Sequence, residues 1–156
     1  MQSSTDSFQL KHILLIDSDE HEREKLAAFL RQQLPDFHII CATDLNYFFS
    51  CLYAAKNIEL LIFDFTTEDD LQDLFLIKTL TPQVKLMSWT RCQHPEVLEQ
   101  LYQAGVRCFC SKDNSLDAVL ISLLLTLFEE RLCLDGQLLH CLSWFSDNQS
   151  QESQEE

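Results

Sequence analysis

Leu60-Leu61-Ile62-Phe63-Asp64 sets four apolar residues in a row directly before a carboxylate. A strand with one solvated face alternates apolar with polar residues; a strand apolar at every position suits the middle of a parallel sheet covered on both faces. Ile13-Leu14-Leu15-Ile16-Asp17 repeats the pattern near the start of the chain. Two such runs, each closed by an aspartate, make a parallel α/β fold the first expectation.

Working outward, five short apolar runs read as strands: His12–Asp17, His38–Ala42, Glu59–Asp64, Val84–Ser88 and Val106–Cys110. Helical periodicity fills the gaps. Leu26, Phe29, Leu30 and Leu34 recur at helix spacing between Asp19 and Leu34, with Pro35 after the end. Leu45, Phe48, Phe49 and Leu52 form the stripe of a second helix from Asp44 to Ala55, with Asp44 as its N-cap. A third helix covers about Asp70–Leu80 and stops before Pro82. The fourth has Pro95 in its first turn and Gly105 at its end, the usual asymmetry of helix termini. The fifth starts near Ser115 and carries Val119, Leu120, Leu123, Leu124 and Leu127 on one side. The alternation βαβαβαβαβα implies a parallel sheet with helices on both faces and right-handed crossovers. It fits a flavodoxin-like (βα)5 three-layer sandwich with strand order 2-1-3-4-5 better than a closed barrel. The domain spans 11–132, after an N-terminal extension at 1–10. An apolar extension at 133–146, holding Leu138, Leu139, Leu142, Trp144 and Phe145, suggests an extra helix that docks on the domain or on a second subunit. Residues 147–156 read as a disordered acidic tail.

Composition narrows the function. The chain has 156 residues, 46% apolar and 23% charged, with a formal net charge of −14. Its 11 basic residues are scattered singly, which argues against direct nucleic-acid binding, where clustered cations replace counterions on phosphates. No stretch approaches the roughly 18–20 uninterrupted apolar residues of a membrane span. The polar start, Met1 to Ser7, carries no export signal, so a cytoplasmic protein is expected. Seven cysteines without such a signal read as reduced thiols that act as small core hydrophobes. Cys108 and Cys110 would share one strand face, and no second pair at ligand spacing suggests zinc.

Ligands of open parallel sheets bind beyond the carboxyl ends of the strands. Strand one ends at Asp17, strand three at Asp64 and strand four at Ser88-Trp89-Thr90, while strand five leads to Lys112. Alone, Asp64 is an acid where turns favour aspartate, Asp17 is a helix N-cap, and Ser88 and Lys112 mean nothing. Together they put two carboxylates, a hydroxyl and an ammonium around one cleft. Ile13–Asp19, Leu60–Asp64, Val84–Ser88 and Gly105–Asp113 resemble the receiver domain of bacterial two-component response regulators, over about residues 11–130. The stretch from Val97 to Asp113 is most similar to receivers that normally precede a helix-turn-helix output domain. No such domain follows in this sequence, which suggests a stand-alone regulator.

The resemblance implies roles. Asp64 would accept a phosphoryl group from a histidine kinase, a phosphotransfer protein or a small phosphodonor. Asp17, Asp64 and the backbone carbonyl of Thr66 would hold Mg²⁺. Ser88 would hydrogen-bond a phosphoryl oxygen, Lys112 would pair with its charge, and Phe109 would be the aromatic switch residue that follows Ser88 inward. The outcome would be altered contact with a downstream protein or in a homodimer. Such a protein is not an enzyme in the ordinary sense, though it catalyses its own phosphorylation and dephosphorylation. Two departures stand against the pattern. Ser18 replaces the second acid after strand one, which weakens the Mg²⁺ site. The loop Phe65-Thr66-Thr67-Glu68-Asp69-Asp70-Leu71-Gln72 lacks the family's proline and glycine. These motivate the alternative of a phosphorylation-independent pseudo-receiver that acts as a protein-interaction module. A flavodoxin-like cofactor binder is disfavoured, because Ser18–His21 offers no glycine-rich phosphate loop.

Overall fold

A computed structural model of the chain describes residues 11–54, 56–65, 68–91, 94–129 and 133–134. The extensions at 1–10 and 135–156, including the Leu138–Phe145 cluster and the acidic tail, lie outside the described residues. The elements run β1 (Lys11–Ile16), α1 (Glu20–Gln33), β2 (Phe37–Ala42), α2 (Asn46–Tyr53), β3 (Ile58–Phe63), α3 (Glu68–Leu80), β4 (Lys85–Thr90), α4 (Pro95–Gln103), β5 (Val106–Ser111), α5 (Leu116–Glu129) and β6 (Cys133–Leu134). The strands form one parallel sheet in the order β2-β1-β3-β4-β5-β6. The five-strand order expected from the sequence is therefore the order found. β6 is an addition: where the reading has strand five at the edge and allows a helix from residue 133, Cys133 pairs beside Cys108 and extends the sheet.

The two apolar strands are central for the reason their composition gives. Ile13 and Leu15 of β1 and Leu60 and Ile62 of β3 face one layer, with Leu26, Ala27 and Leu30 of α1 and Val119, Leu123 and Leu127 of α5. The alternate residues, Leu14, Ile16, Leu61 and Phe63, face Phe48 and Cys51 of α2, Leu74 and Ile77 of α3, and Leu98 and Leu101 of α4. Both layers are packed with apolar side chains. A strand that buries both faces has no position left for a polar side chain until the sheet ends, and the aspartates stand there.

Two helix starts differ from the sequence reading. Asp17 does not cap α1; Asp19 does, accepting from the Glu22 backbone N–H at 3.1 Å. Asp17 is instead buried and accepts from the Asp19 N–H at 2.9 Å. The N-cap of α2 is Leu45, which makes no side-chain cap, because Asp44 lies one residue early. Its carboxylate accepts from the Asn46 N–H at 3.0 Å and closes an Asx-type turn into the helix. Cys51, Cys108, Cys110 and Cys133 are buried free thiols, and Cys108 and Cys110 share the face toward α5. Hydrogen bonds with Cys110 and Cys133, and burial, push the Cys108 thiol well above its ordinary range. These sulfurs pack in the apolar core.

Candidate phosphoryl-acceptor site

Asp17, Asp64 and Lys112 each stand one residue beyond a strand, and each keeps its backbone N–H in the ladder. The N–H of Asp17 donates to Ala42 O at 3.1 Å, that of Asp64 to Ile16 O at 3.3 Å, and that of Lys112 to Thr90 O at 3.3 Å. The sheet thus fixes three backbones, and the side chains converge at the crevice where strand order reverses between β1 and β3. The ammonium of Lys112 lies 2.6 Å from Asp17 Oδ2 and 2.7 Å from Asp64 Oδ2. Side chains of Lys112 and Asp17 are 4% and 1% exposed, whereas Asp64 is 21% exposed. Asp64 is therefore the member of the trio that solvent, and a ligand, can reach.

The electrostatics follow from that geometry. Burial alone would lower the Lys112 pKa, but hydrogen bonds and Coulomb attraction from Asp17 and Asp64 outweigh it, and the net shift is upward. The ammonium also sits 5.1 Å from the centre of the Trp89 ring, within reach of a cation–π interaction. Of the five buried polar or charged residues among those described, Asp17, Ser88, Thr90 and Ser111 belong to this edge of the sheet, and only Thr126 does not. Polar groups are buried where the site is built.

Ser88 does not join the trio. Its strand register places it beside Phe63 and Phe109, one step below the edge and toward the α2–α4 layer. Its hydroxyl is fully buried and has no hydrogen-bond partner among the described residues. Phe109 is 2% exposed and packed in the same layer. The edge thus carries two groups: an ion cluster on one side and a serine–phenylalanine pair on the other. Thr66 lies outside the described residues.

Two arginines escape a reading of the sequence. Arg23 donates from one NH group to the Asp17 carbonyl at 2.8 Å and steadies the β1–α1 turn. Arg91, next after β4, reaches Glu22 of α1 at 2.8 Å and Asp113 of the β5–α5 loop at 3.1 Å. The hydrogen bonds it donates to Glu22 and Asp113 raise its pKa. Arg91 ties its own loop, the β5–α5 loop and the first turn of α1 together around the cleft, and its place directly after a strand end is the one signal that could have marked it. Nothing in one sequence marks Arg23.

Asp17 and Asp64 converge on a single ammonium, so two carboxylate oxygens lie close enough to share one small cation. Among the described residues no cluster of three His, Cys, Asp or Glu side chains is arranged to hold a metal. Mg²⁺ commonly takes one or two carboxylates and keeps several waters, so the pair fits that ion as a sparse site. Asp19 stands outside the trio, with one carboxylate oxygen capping α1.

Solved structures share this arrangement of elements. A LuxR-family two-component response regulator from Aurantimonas sp. SI85-9A1 superposes with a TM-score of 0.74 at 14% identity, over 86% of this chain and 96% of that one. A CheY-like receiver domain protein from Methanospirillum hungatei gives a TM-score of 0.69 at 20% identity, over 78% and 96%. A LuxR-family DNA-binding response regulator from Silicibacter pomeroyi gives 0.70 at 18% identity, over 83% and 100%. This chain has the receiver fold. No protein-family model and no curated protein matches the sequence. Within the receiver fold, the trio stands at the carboxyl edge of the central strands, and no described helix is long and apolar enough to cross a membrane.

Proposed function

We propose that this receiver-fold protein is a cytoplasmic response regulator whose Asp64 accepts a phosphoryl group, from a histidine kinase or phosphotransfer protein, and whose output is an altered contact with another protein or copy. The observation that carries the reading is the bridging ammonium of Lys112, at 2.6 and 2.7 Å from two carboxylates of which only Asp64 is open to solvent. An Asp64 oxygen would attack the phosphorus while the donor's bond to it breaks. With acetyl phosphate the electron pair leaves on acetate; with phosphohistidine it leaves on an imidazole nitrogen, which then takes a proton. The attack brings like charges together, so catalysis here is charge compensation and positioning. Lys112 would move from the bare carboxylates to the incoming phosphoryl oxygens. Asp17 and Asp64 would hold Mg²⁺, which when bound supplies further positive charge to the transferring group. The empty hydrogen-bonding capacity of Ser88 would be met by a phosphoryl oxygen, with Phe109 beside it as the packing element that responds.

The test is intact mass after incubation with Mg²⁺ and acetyl phosphate. One phosphoryl adduct on the wild type, absent from Asp64→Asn, supports the reading; no adduct from acetyl phosphate or a kinase ends it.

A pseudo-receiver is the second reading, and the same lysine favours it. Lys112 already bridges both carboxylates from the place a metal would take, and Ser18 removes the acid that would otherwise draw in a metal. Titration with Mg²⁺ separates the two. A metal that pulls Asp17 or Asp64 off Lys112 changes the emission of Trp89, 5.1 Å from that ammonium. A flat titration to tens of millimolar, with no adduct, leaves the interaction module.

A further inference from the structure

Of the eight large hydrophobic side chains exposed among the described residues, six lie on α2 and α3. Leu71, Leu74, Phe75, Leu76, Ile77 and Leu80 point around the whole circumference of α3, and a helix apolar on all sides is normally covered on all sides. Its inner face is covered: Leu74 and Ile77 are fully buried. Its outer face is not. Asp69, Asp73, Leu76 and Leu80 recur at helix spacing along one stripe, acidic toward the carboxyl edge of the sheet and apolar below it. Leu76 and Leu80 are 47% and 51% exposed.

The neighbouring wall is α2, which packs against α3. It contributes Leu52, 36% exposed, and Tyr53, 95% exposed. A cavity of about 250 Å³ lies beyond the lower end of this face, between Leu52 and Thr81, and is lined also by Phe48, Lys56, Asn57, Ile58 and Gln83. Toward the carboxyl edge of the sheet the face carries acids. Burial, and then the like charges of Asp70, Asp69 and Asp44, push the Asp73 carboxyl above its ordinary range, which places Asp44 of the α2 turn in the same field.

We propose that the exposed α2–α3 face docks an amphipathic helix of a partner protein, with apolar anchors against Leu52, Tyr53, Leu76 and Leu80 and cations against Asp44, Asp69 and Asp73. Charge selects this occupant. Residues 132–156 bring apolar residues but no lysine or arginine to such a face. A second copy fits no better: its net charge is −14, its cations are scattered, and Lys78, Lys85, Arg91, Arg107 and Lys112 are engaged within the fold. The proposal stands whether or not Asp64 takes a phosphoryl group, so the phosphorylation assay does not bear on it.

The probe is a synthetic helix with leucines at i, i+4 and i+7 and flanking lysines, alongside its glutamate-for-lysine counterpart, titrated into labelled full-length protein by NMR. The lysine peptide is expected to bind saturably with amide shifts concentrated in residues 46–54 and 68–81, and the glutamate peptide not to bind. Leu76→Ser with Leu80→Ser should weaken binding about tenfold, the scale of losing one central apolar anchor. Asp69→Asn with Asp73→Asn should weaken it and flatten its dependence on salt. All four positions are exposed or half-buried, and thermal melting confirms that the variants fold. Absence of saturation, shifts elsewhere, or binding indifferent to Leu76→Ser and Leu80→Ser overturns the proposal. So does a concentration-dependent dimer abolished by those two substitutions, which would assign the face to a second copy.

Discussion

The two ends of the sheet use lysine in opposite ways. At the carboxyl end, Lys112 bridges the side-chain carboxylates of Asp17 and Asp64. At the amino end, Lys78 donates to the backbone carbonyls of Pro82 at 3.0 Å and Val84 at 2.7 Å. Lys85 donates to Leu127 O at 2.5 Å near the end of α5, and Arg107 to Tyr102 O at 2.7 Å near the end of α4. A carbonyl offers a fixed partial charge, and cations near helix ends satisfy acceptors that the helix leaves over. A carboxylate can be captured by a metal or converted by a phosphoryl group. The amino end is therefore fastened and the carboxyl end is exchangeable, although both are built from the same residue type.

The contrast is tested hardest by Lys112→Met. It leaves two carboxylates facing each other, one of them buried, and breaking such a pair from one side costs about 3–5 kcal/mol. Urea unfolding at neutral pH should show that loss, and Asp17→Asn in the same chain should recover part of it. The pH dependence has a definite sign. The folded-state pKa of Lys112 is raised, so its contribution is complete below the ordinary lysine value of 10.5 and fades as pH climbs through the folded value. Wild type and Lys112→Met should keep a constant gap from neutral pH to about 10 and converge above it. A gap near zero at pH 7 would mean that the site's ion cluster is no more than surface decoration.

At the amino end the sharpest probe is Gly105→Ala. Gly105 has φ +109°, and a Cβ there would lie 2.8 Å from Lys78 Cγ. Lysine side chains usually yield, but Lys78 is held by two carbonyls. Backbone strain and the displaced lysine together should cost about 1–3 kcal/mol. Lys78→Met alone removes the charged donor and should cost about 1–2 kcal/mol, with no change in Mg²⁺ response or phosphorylation. An effect on either activity would dissolve the division between the two ends.

How much of this was legible beforehand depends on which physics placed each residue. Ile13–Ile16 and Leu60–Phe63 announced central strands because burial on both faces admits no polar residue, and the aspartates beyond them then marked the edge. β6 was not legible, since Cys133 and Leu134 lie in an apolar stretch whose period favours neither strand nor helix, and only α5 delivers them to β5. The caps were misread by one or two residues because Asp17, Ser18 and Asp19, like Asp44, could each accept a turn's N–H. Which does so depends on whether Asp17 is drawn to Lys112, a contact 95 residues away in sequence. Ser88 was located on the right strand, but its separation from the ion trio is a matter of strand register, which hydrophobic pattern alone leaves open by a residue.

That separation sets the smallest effect. A buried hydroxyl without a partner contributes nothing to offset its desolvation, and Ser88 Oγ is such a group. Ser88→Ala should leave unfolding free energy unchanged or raise it by up to about 1 kcal/mol, measured by the same urea titrations. Lys112→Met and Ser88→Ala therefore move stability in opposite directions although both residues belong to the proposed site. If the hydroxyl is held there to meet a phosphoryl oxygen, Ser88→Ala should also shorten the lifetime or slow the formation of the Asp64 adduct while the fold gains. Should Ser88→Ala instead destabilise the protein by 1 kcal/mol or more, the hydroxyl has a structural partner in solution, and its place beside Phe109 is ordinary packing.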